Sequence, residues 1–264
     1  MKQAHLGLIV PPAAGAVPVD GPLLYGERIR FSARGLGLGE ISTRGYTEVI
    51  DAVVGKAREL AAEGVQAVSL MGTSLSFFRG AAFNRELQAE LTRATGLPSS
   101  TMSDAIVNGL RSLGVKRVAV ATAYIDEVNQ LLRRYLADSG FEPLALQGLS
   151  ISDVQAVAEV PTGVLVDLCT TVYRESPGAE GILISCGGLV TLDAVREIEA
   201  QLGVPVVSSS PAGFWDLVRC AGLDPRSPGH GRLFDPGRPD PAGKPADPGA
   251  RTAPSALGAR PQTP

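Results

Sequence analysis

Cys186 closes an apolar run, Gly181-Ile182-Leu183-Ile184-Ser185, and is followed directly by Gly187 and Gly188. Two glycines let a ligand approach the backbone closely and leave peptide N–H groups beside the sulfur, so this thiol is expected to face a ligand. The other two cysteines have different settings. Cys169 follows Val164-Leu165-Val166-Asp167-Leu168 and Cys220 follows Trp215-Asp216-Leu217-Val218-Arg219, both helix-like apolar contexts that suit an inert, buried thiol. Small, polar or strained residues also close other apolar runs, at Pro11-Pro12-Ala13-Ala14-Gly15, Gly72-Thr73-Ser74, Thr122-Ala123-Tyr124 and Ser208-Ser209-Ser210-Pro211. Any one of these is ordinary turn composition, but the same pattern after so many apolar runs points to a shared site.

Other chemistries lack their residues. There is no P-loop and no G-x-S-x-G nucleophile elbow, and neither His5 nor His230 is placed to activate a serine. Two lone histidines and three scattered cysteines make neither a metal site nor a disulfide framework, so no metal is expected. Gly35-Leu36-Gly37-Leu38-Gly39 resembles a dinucleotide turn only loosely, with the wrong spacing and no strand before it that opens a crossover unit, and nicotinamide binding is rejected. What remains is a thiol, the hydroxyls of Thr73, Ser74 and Tyr124, and backbone amides. That set suits proton transfer beside a carboxylate whose charge develops as an enediolate held by preorganised donors.

The elements that must position these groups are legible as strands alternating with helices. Leu6–Val10, Val65–Leu70, Val115–Ala121, Pro143–Gln147, Gly181–Ser185 and Val204–Ser208 are expected strands. Helical spacing links Tyr46, Ile50, Val53, Ala57 and Leu60, then Phe83, Leu87 and Leu91 with Gly96 as the stop. Two more stripes run through Ile125, Val128, Leu132 and Tyr135, and through Leu192, Val195, Ile198 and Leu202. Continuous apolar strands separated by helices predict an α/β protein with parallel sheets covered on both faces. An internal echo supports two similar lobes, since Ser69 to Leu75 and Leu183 to Leu189 both end a strand in a small-residue turn. Facing lobes would bring those turns together at a cleft, where the carboxyl ends of parallel strands bind ligands.

Composition bounds the partners. The chain has 264 residues, 44% hydrophobic and 19% charged, enough to bury a sizeable core. Net charge is −3 with no polybasic run, which excludes the electrostatic footprint of a nucleic-acid binder. No 18-residue apolar stretch occurs and Leu6–Val10 is too short for a signal-peptide core, so no membrane association and a cytoplasmic location are expected. From Asp235 to Pro264 there are eight of the twenty prolines and Leu257 is the only large aliphatic residue, a composition expected to remain disordered.

At this point specific motifs carry a resemblance. Val10 to Gly15 (VPPAAG), Gly35 to Gly39 (GLGLG), Ser69 to Phe77 (SLMGTSLSF), Ala121 to Asp126 (ATAYID), Gly181 to Leu189 (GILISCGGL) and Gly203 to Asp216 (GVPVVSSSPAGFWD) resemble the bacterial arylmalonate decarboxylases, of the aspartate/glutamate racemase superfamily. The likeness spans roughly residues 5 to 235. It implies two flavodoxin-like lobes, residues 1–112 plus 206–234 and residues 113–205, with 235–264 left as tail. It also implies cofactor-free decarboxylation of α-aryl or alkenyl malonates to a chiral carboxylic acid, with a small dicarboxylate as partner. A monomer is compatible with the sequence, which does not specify an oligomeric state.

The resemblance assigns roles as well. Racemases of the superfamily use two cysteines on opposite faces of the substrate. Here Cys186 matches one, and Gly72 stands where a racemase carries the other, which implies protonation from one face. A dioxyanion hole would comprise Thr73, Ser74, Tyr124 and the amides around Gly187. An apolar pocket would comprise Pro12, Leu38, Ile41, Leu75, Val154 and Val157 with Gly72, where Ile41 and Val157 are conservative departures from the family's residues. The alternatives are a racemase or cis–trans isomerase of the superfamily, or a non-catalytic carboxylate-binding protein. The acid role requires a neutral thiol, although the helix expected to begin at Thr191 favours thiolate. An apolar pocket with a dianionic ligand favours thiol and is expected to dominate.

Overall fold

A computed structural model describes residues 3–235 of the chain. The strands are β1 (Ala4–Val10), β2 (Ile29–Gly35), β3 (Val68–Leu70), β4 (Ser99–Thr101), β5 (Arg117–Thr122), β6 (Glu142–Gly148), β7 (Gly181–Ser185) and β8 (Val206–Ser208). They form two parallel four-stranded sheets, ordered β2-β1-β3-β4 and β6-β5-β7-β8. The order is identical in the two sheets, as expected of similar lobes. In this order the chain reverses its direction of travel between β1 and β3, and again between β5 and β7. The crevice at the carboxyl ends of those pairs is where ligands bind in open α/β sheets.

The helices are α1 (Asp20–Tyr25), α2 (Thr43–Val49), α3 (Val53–Ala62), α4 (Thr73–Phe77), α5 (Gly80–Thr95), α6 (Met102–Ser112), α7 (Asp126–Asp138), α8 (Thr162–Arg174), α9 (Leu192–Leu202) and α10 (Ser209–Cys220). None of them is long and apolar enough to cross a membrane. The stripe from Tyr46 to Leu60 is buried as expected, but it runs through two helices joined by a 3-10 turn at Ile50–Ala52. The β-branched pair Val49-Ile50 sits at the break, where helix propensity is low. Gly96 adopts the left-handed conformation that stops α5.

Sequence patterning missed β2, β4, α1, α4 and α6, and it marked α8 and α10 only as the helix-like settings of Cys169 and Cys220. β2 is an edge strand reading Ile29-Arg30-Phe31-Ser32-Ala33-Arg34-Gly35, too polar on one face to register as an apolar run. α10 has no stripe because Ser209 through Val218 are all buried. It is pinned by Asp216, which accepts from Ser100 Oγ at 2.6 Å and from Asn108 Nδ2 at 3.0 Å. Because β8 pairs with β7, residues 206–208 belong to the second sheet, and the return to the first begins at Ser209 rather than at 206. Leu233 and Phe234 are buried, Phe234 beside the Tyr25 ring, while of the expected tail, 235–264, all but Asp235 lies outside the described residues.

The Gly35 to Gly39 segment does follow a strand, β2, contrary to the sequence reading. Its amides extend the sheet: Leu36 N–H donates to Val10 O at 3.0 Å and Leu38 N–H to Pro11 O at 2.9 Å. Two of the segment's amides are thus spent on the sheet edge. A Cβ on Gly35 would lie 2.4 Å from Pro12 O and 2.5 Å from Ala13 O, whereas one on Gly39 meets nothing within 4 Å. Gly35→Ala is therefore expected to cost about 3 kcal/mol, the upper end for forced backbone shifts. Gly39→Ala should be nearly neutral. Chemical denaturation of the two variants checks this, and equal midpoints would refute the close-approach account.

Candidate active site

The four turns at the two reversal points are those after β1 (Pro11, Pro12), β3 (Met71 to Ser74), β5 (Ala123, Tyr124) and β7 (Cys186 to Leu189). The β3 and β7 turns touch: a Cβ on Gly187 would sit 3.3 Å from Met71 O and 2.8 Å from Met102 Sδ. Between the lobes lies a cavity of about 270 Å³. Cys186 and Gly187 line it, as do Pro12, Leu38, Ile41, Val154 and Val157 of the expected pocket. Gly72, Thr73, Ser74, Leu75 and Tyr124 are not part of that lining, although Ser74 at 8% is as exposed as Cys186 and the Tyr124 hydroxyl lies beside the Cys186 sulfur. Leu75 folds back over Gly72, so a Cβ there would be 2.9 Å from Leu75 Cδ1.

The β3 and β5 turns are polar and hydrogen-bonded. Thr73 Oγ1 donates to Met102 Sδ at 2.9 Å, a weak acceptor that a carboxylate oxygen would readily replace. Ser103 Oγ donates to Thr73 O at 2.9 Å and Ser76 Oγ to Gly72 O at 3.0 Å, fixing the β3 turn. Tyr124 is held from its backbone. Its N–H donates to Thr122 Oγ1, which donates to Asn129 Oδ1, and Asn129 Nδ2 returns a bond to Tyr124 O. Its phenol accepts from Ser185 Oγ at 3.4 Å, and burial raises its pKa, which keeps it a hydrogen-bond donor.

Cys186 N–H donates to Ser209 Oγ at 3.3 Å, and the residue is 6% exposed. Burial pushes its thiol up to about 11, against smaller opposing contributions from the Gly188 N–H, the Tyr124 hydroxyl and the Leu189 N–H. The thiol is therefore neutral at physiological pH. Cys169, in α8, and Cys220, at the end of α10, do not line the cavity, and all three thiols are free.

Sequence reasoning missed three groups here. Met71 lines the cavity. Tyr46, read as part of a helical stripe, is fully buried, and its hydroxyl lies near Ser74 without a hydrogen bond of ordinary geometry. Asp20 lines the cavity at 2% exposure, and its Oδ1 has no hydrogen-bond partner. An unpartnered buried hydroxyl or carboxylate is the structural signal for such residues, and single-sequence patterns do not carry it. Among the described residues no group of three or more His, Cys, Asp or Glu is arranged to hold a metal ion.

Residues 6–234 match the family model described as arylmalonate decarboxylase. The chain belongs to the arylmalonate decarboxylase family. It is 57% identical over 239 residues to the arylmalonate decarboxylase of Bordetella bronchiseptica, covering 89% of this chain and 99% of that one. Its fold is similar to a liganded glycine-to-cysteine, cysteine-to-serine double variant of arylmalonate decarboxylase, with a TM-score of 0.87 and 55% identity over 89% of this chain and 100% of that one. It is also similar, more distantly in sequence, to the maleate isomerase Iso of Pseudomonas putida, with a TM-score of 0.83 and 25% identity over 88% and 98% of the two chains. The expected α/β architecture of paired parallel sheets is thus the architecture of the arylmalonate decarboxylase family.

Proposed function

We propose that this chain, a decarboxylase of that family, removes one carboxylate from α-aryl or alkenyl malonates without a cofactor and protonates the resulting enediolate from Cys186. The observation that carries this reading is a neutral, desolvated thiol in the wall of an apolar cavity, with buried hydroxyls directly behind it. Both carboxylates of a malonate dianion are well hydrated in water, so the site must treat them unequally. One is held by the hydroxyls of Thr73, Ser74 and Tyr124 and by the amide of Gly187. The other is pressed against Leu38, Ile41, Val154 and Val157, which cannot hydrogen-bond it, and loss of neutral CO₂ relieves that burial.

As CO₂ leaves, charge moves into the retained carboxylate, and each donor aimed at it contributes about 2.7–4 kcal/mol of transition-state stabilisation. The aryl or alkenyl group delocalises the same charge. Cys186 then gives its proton to carbon from one face, which sets a single product configuration. A racemase or isomerase using two acid–base groups would need a partner facing Cys186, and Gly72 supplies none. The three free thiols support a reducing compartment, the cytoplasm, and a monomer suffices because one chain builds the whole cavity.

Purified protein dialysed against a chelator is expected to release CO₂ from phenylmalonate with no added metal, nicotinamide, flavin, biotin or pyridoxal phosphate. Gas evolution and product NMR measure it. A strict requirement for an added metal or cofactor would overturn this mechanism.

A further inference from the structure

Decarboxylation consumes one proton per turnover, because a malonate dianion becomes a monoanion and CO₂. If Cys186 delivers that proton, it is left as a thiolate and must be recharged before the next cycle. The aliphatic wall around it cannot donate, and the Tyr124 hydroxyl beside it is buried and held protonated by that burial. Two buried polar atoms in the same cavity have no hydrogen-bond partner, Asp20 Oδ1 and Ser210 Oγ. They are neighbours, the Ser210 hydroxyl lying close to the Asp20 carboxyl without forming a bond of ordinary geometry.

Both residues line the same cavity as Cys186. Ser210 adjoins Ser209, whose hydroxyl accepts the Cys186 N–H. On the other side, Asp20 follows Val19, which lines the cavity and is 53% exposed. The chain thus passes in one residue from solvent at the cavity mouth to a carboxyl inside it. α1 is held there by close packing, since a Cβ on Gly21 would lie 2.5 Å from the Phe214 ring of α10.

We propose that Asp20, assisted by Ser210, is the proton relay that recharges Cys186. The inference rests on the decarboxylase reading above. After S–H cleavage and C–H formation, the O–H bond of protonated Asp20 breaks and a new S–H bond forms, through the Ser210 hydroxyl or one water. The Asp20 carboxylate then takes a proton from solvent at the cavity mouth, so one solvent proton is consumed per turnover and every group returns to its starting state. Burial raises the Asp20 carboxyl to about 6, which keeps it far more acidic than the Cys186 thiol at about 11. Transfer from carboxyl to thiolate is therefore downhill, and a dianionic ligand further favours the protonated carboxyl while substrate is bound.

The test is rapid-quench kinetics of phenylmalonate decarboxylation by the full chain, as wild type, Asp20→Asn and Ser210→Ala. Asp20→Asn enters the first turnover with its thiol already protonated. It should give a burst of about one product per site at near wild-type rate, followed by a steady state slowed about ten- to hundredfold. Imidazolium added as a small acid should restore the steady state without changing the burst. Ser210→Ala should slow the same phase by a smaller factor, which keeps the relay testable even if Asp20→Asn folds poorly. A wild-type steady state in both variants, or equal loss of burst and steady state with no response to imidazolium, would overturn the relay while leaving the decarboxylase reading intact. Absence of CO₂ release by the wild type would instead sink the decarboxylase reading.

Discussion

Cys186→Ala is expected to lower the decarboxylation rate by about a hundred- to ten-thousandfold, the range for loss of a positioned general acid. Cys169→Ala and Cys220→Ala should leave the rate essentially unchanged. The three thiols differ in place rather than in chemistry. Cys169 is fully buried inside α8, with its pKa pushed up to about 12 by that burial, and Cys220 lies near Ser99 O at the end of α10. Only Cys186 stands in the cavity wall. Initial rates of the three variants, each with a thermal melt, test the assignment, and equal losses in all three would sink it. The pH dependence has a definite sign, because the active form is the protonated one. The acid role should persist through neutral pH and fade as pH rises through about 11, where the folded protein loses that proton.

The second large effect is on configuration. Gly72→Cys should introduce racemisation of α-aryl propionates, and Gly72→Cys combined with Cys186→Ser should give product of the opposite configuration from wild type. The backbone at Gly72 is extended, with φ −134° and ψ 98°, so a side chain meets no conformational barrier. It does meet Leu75 Cδ1 at 2.9 Å and Pro11 Cγ at 3.2 Å, and those side chains must shift before the new sulfur reaches the cavity. Decarboxylation by both variants should therefore be slower than wild type. The double variant should be slower still in the steady state, because the relay at Asp20 serves the Cys186 position. Chiral chromatography of the product from a prochiral α-aryl-α-methylmalonate reads the outcome. Retention of the wild-type configuration in the double variant would mean that proton delivery does not depend on these two positions.

The strands of continuous apolar residues were readable because a strand buried on both faces needs no alternation, and β5 and β7 satisfy that rule almost residue by residue. The helix stripes were readable for the same kind of local reason. β2 was not, and α10 was legible only near Cys220. β2 alternates Ile29, Phe31 and Ala33 against Arg30, Ser32 and Arg34 and so forms no continuous apolar run, whereas α10, buried all round, presents no apolar stripe.

The site divides along the same line. A cysteine followed by two glycines at the end of a strand is a local pattern, so Cys186 and Gly187 could be singled out from neighbouring residues alone. So could the hydroxyls of the β3 and β5 turns, of which Tyr124 lies beside the Cys186 sulfur. Asp20 and Tyr46 had no such signature, since an acid at a helix start and a tyrosine in a helical stripe are ordinary. Asp20 is buried where α1 packs against α10, and Tyr46 where its ring packs against Phe78 just beyond α4. Those contacts join residues far apart in the chain. The sequence by itself therefore determined which turns carry reactive groups, because side-chain chemistry and strand ends are local properties. Only the tertiary structure decided which groups share one cavity and which carboxyl is shut away from water, because desolvation is produced by neighbours that local sequence does not name.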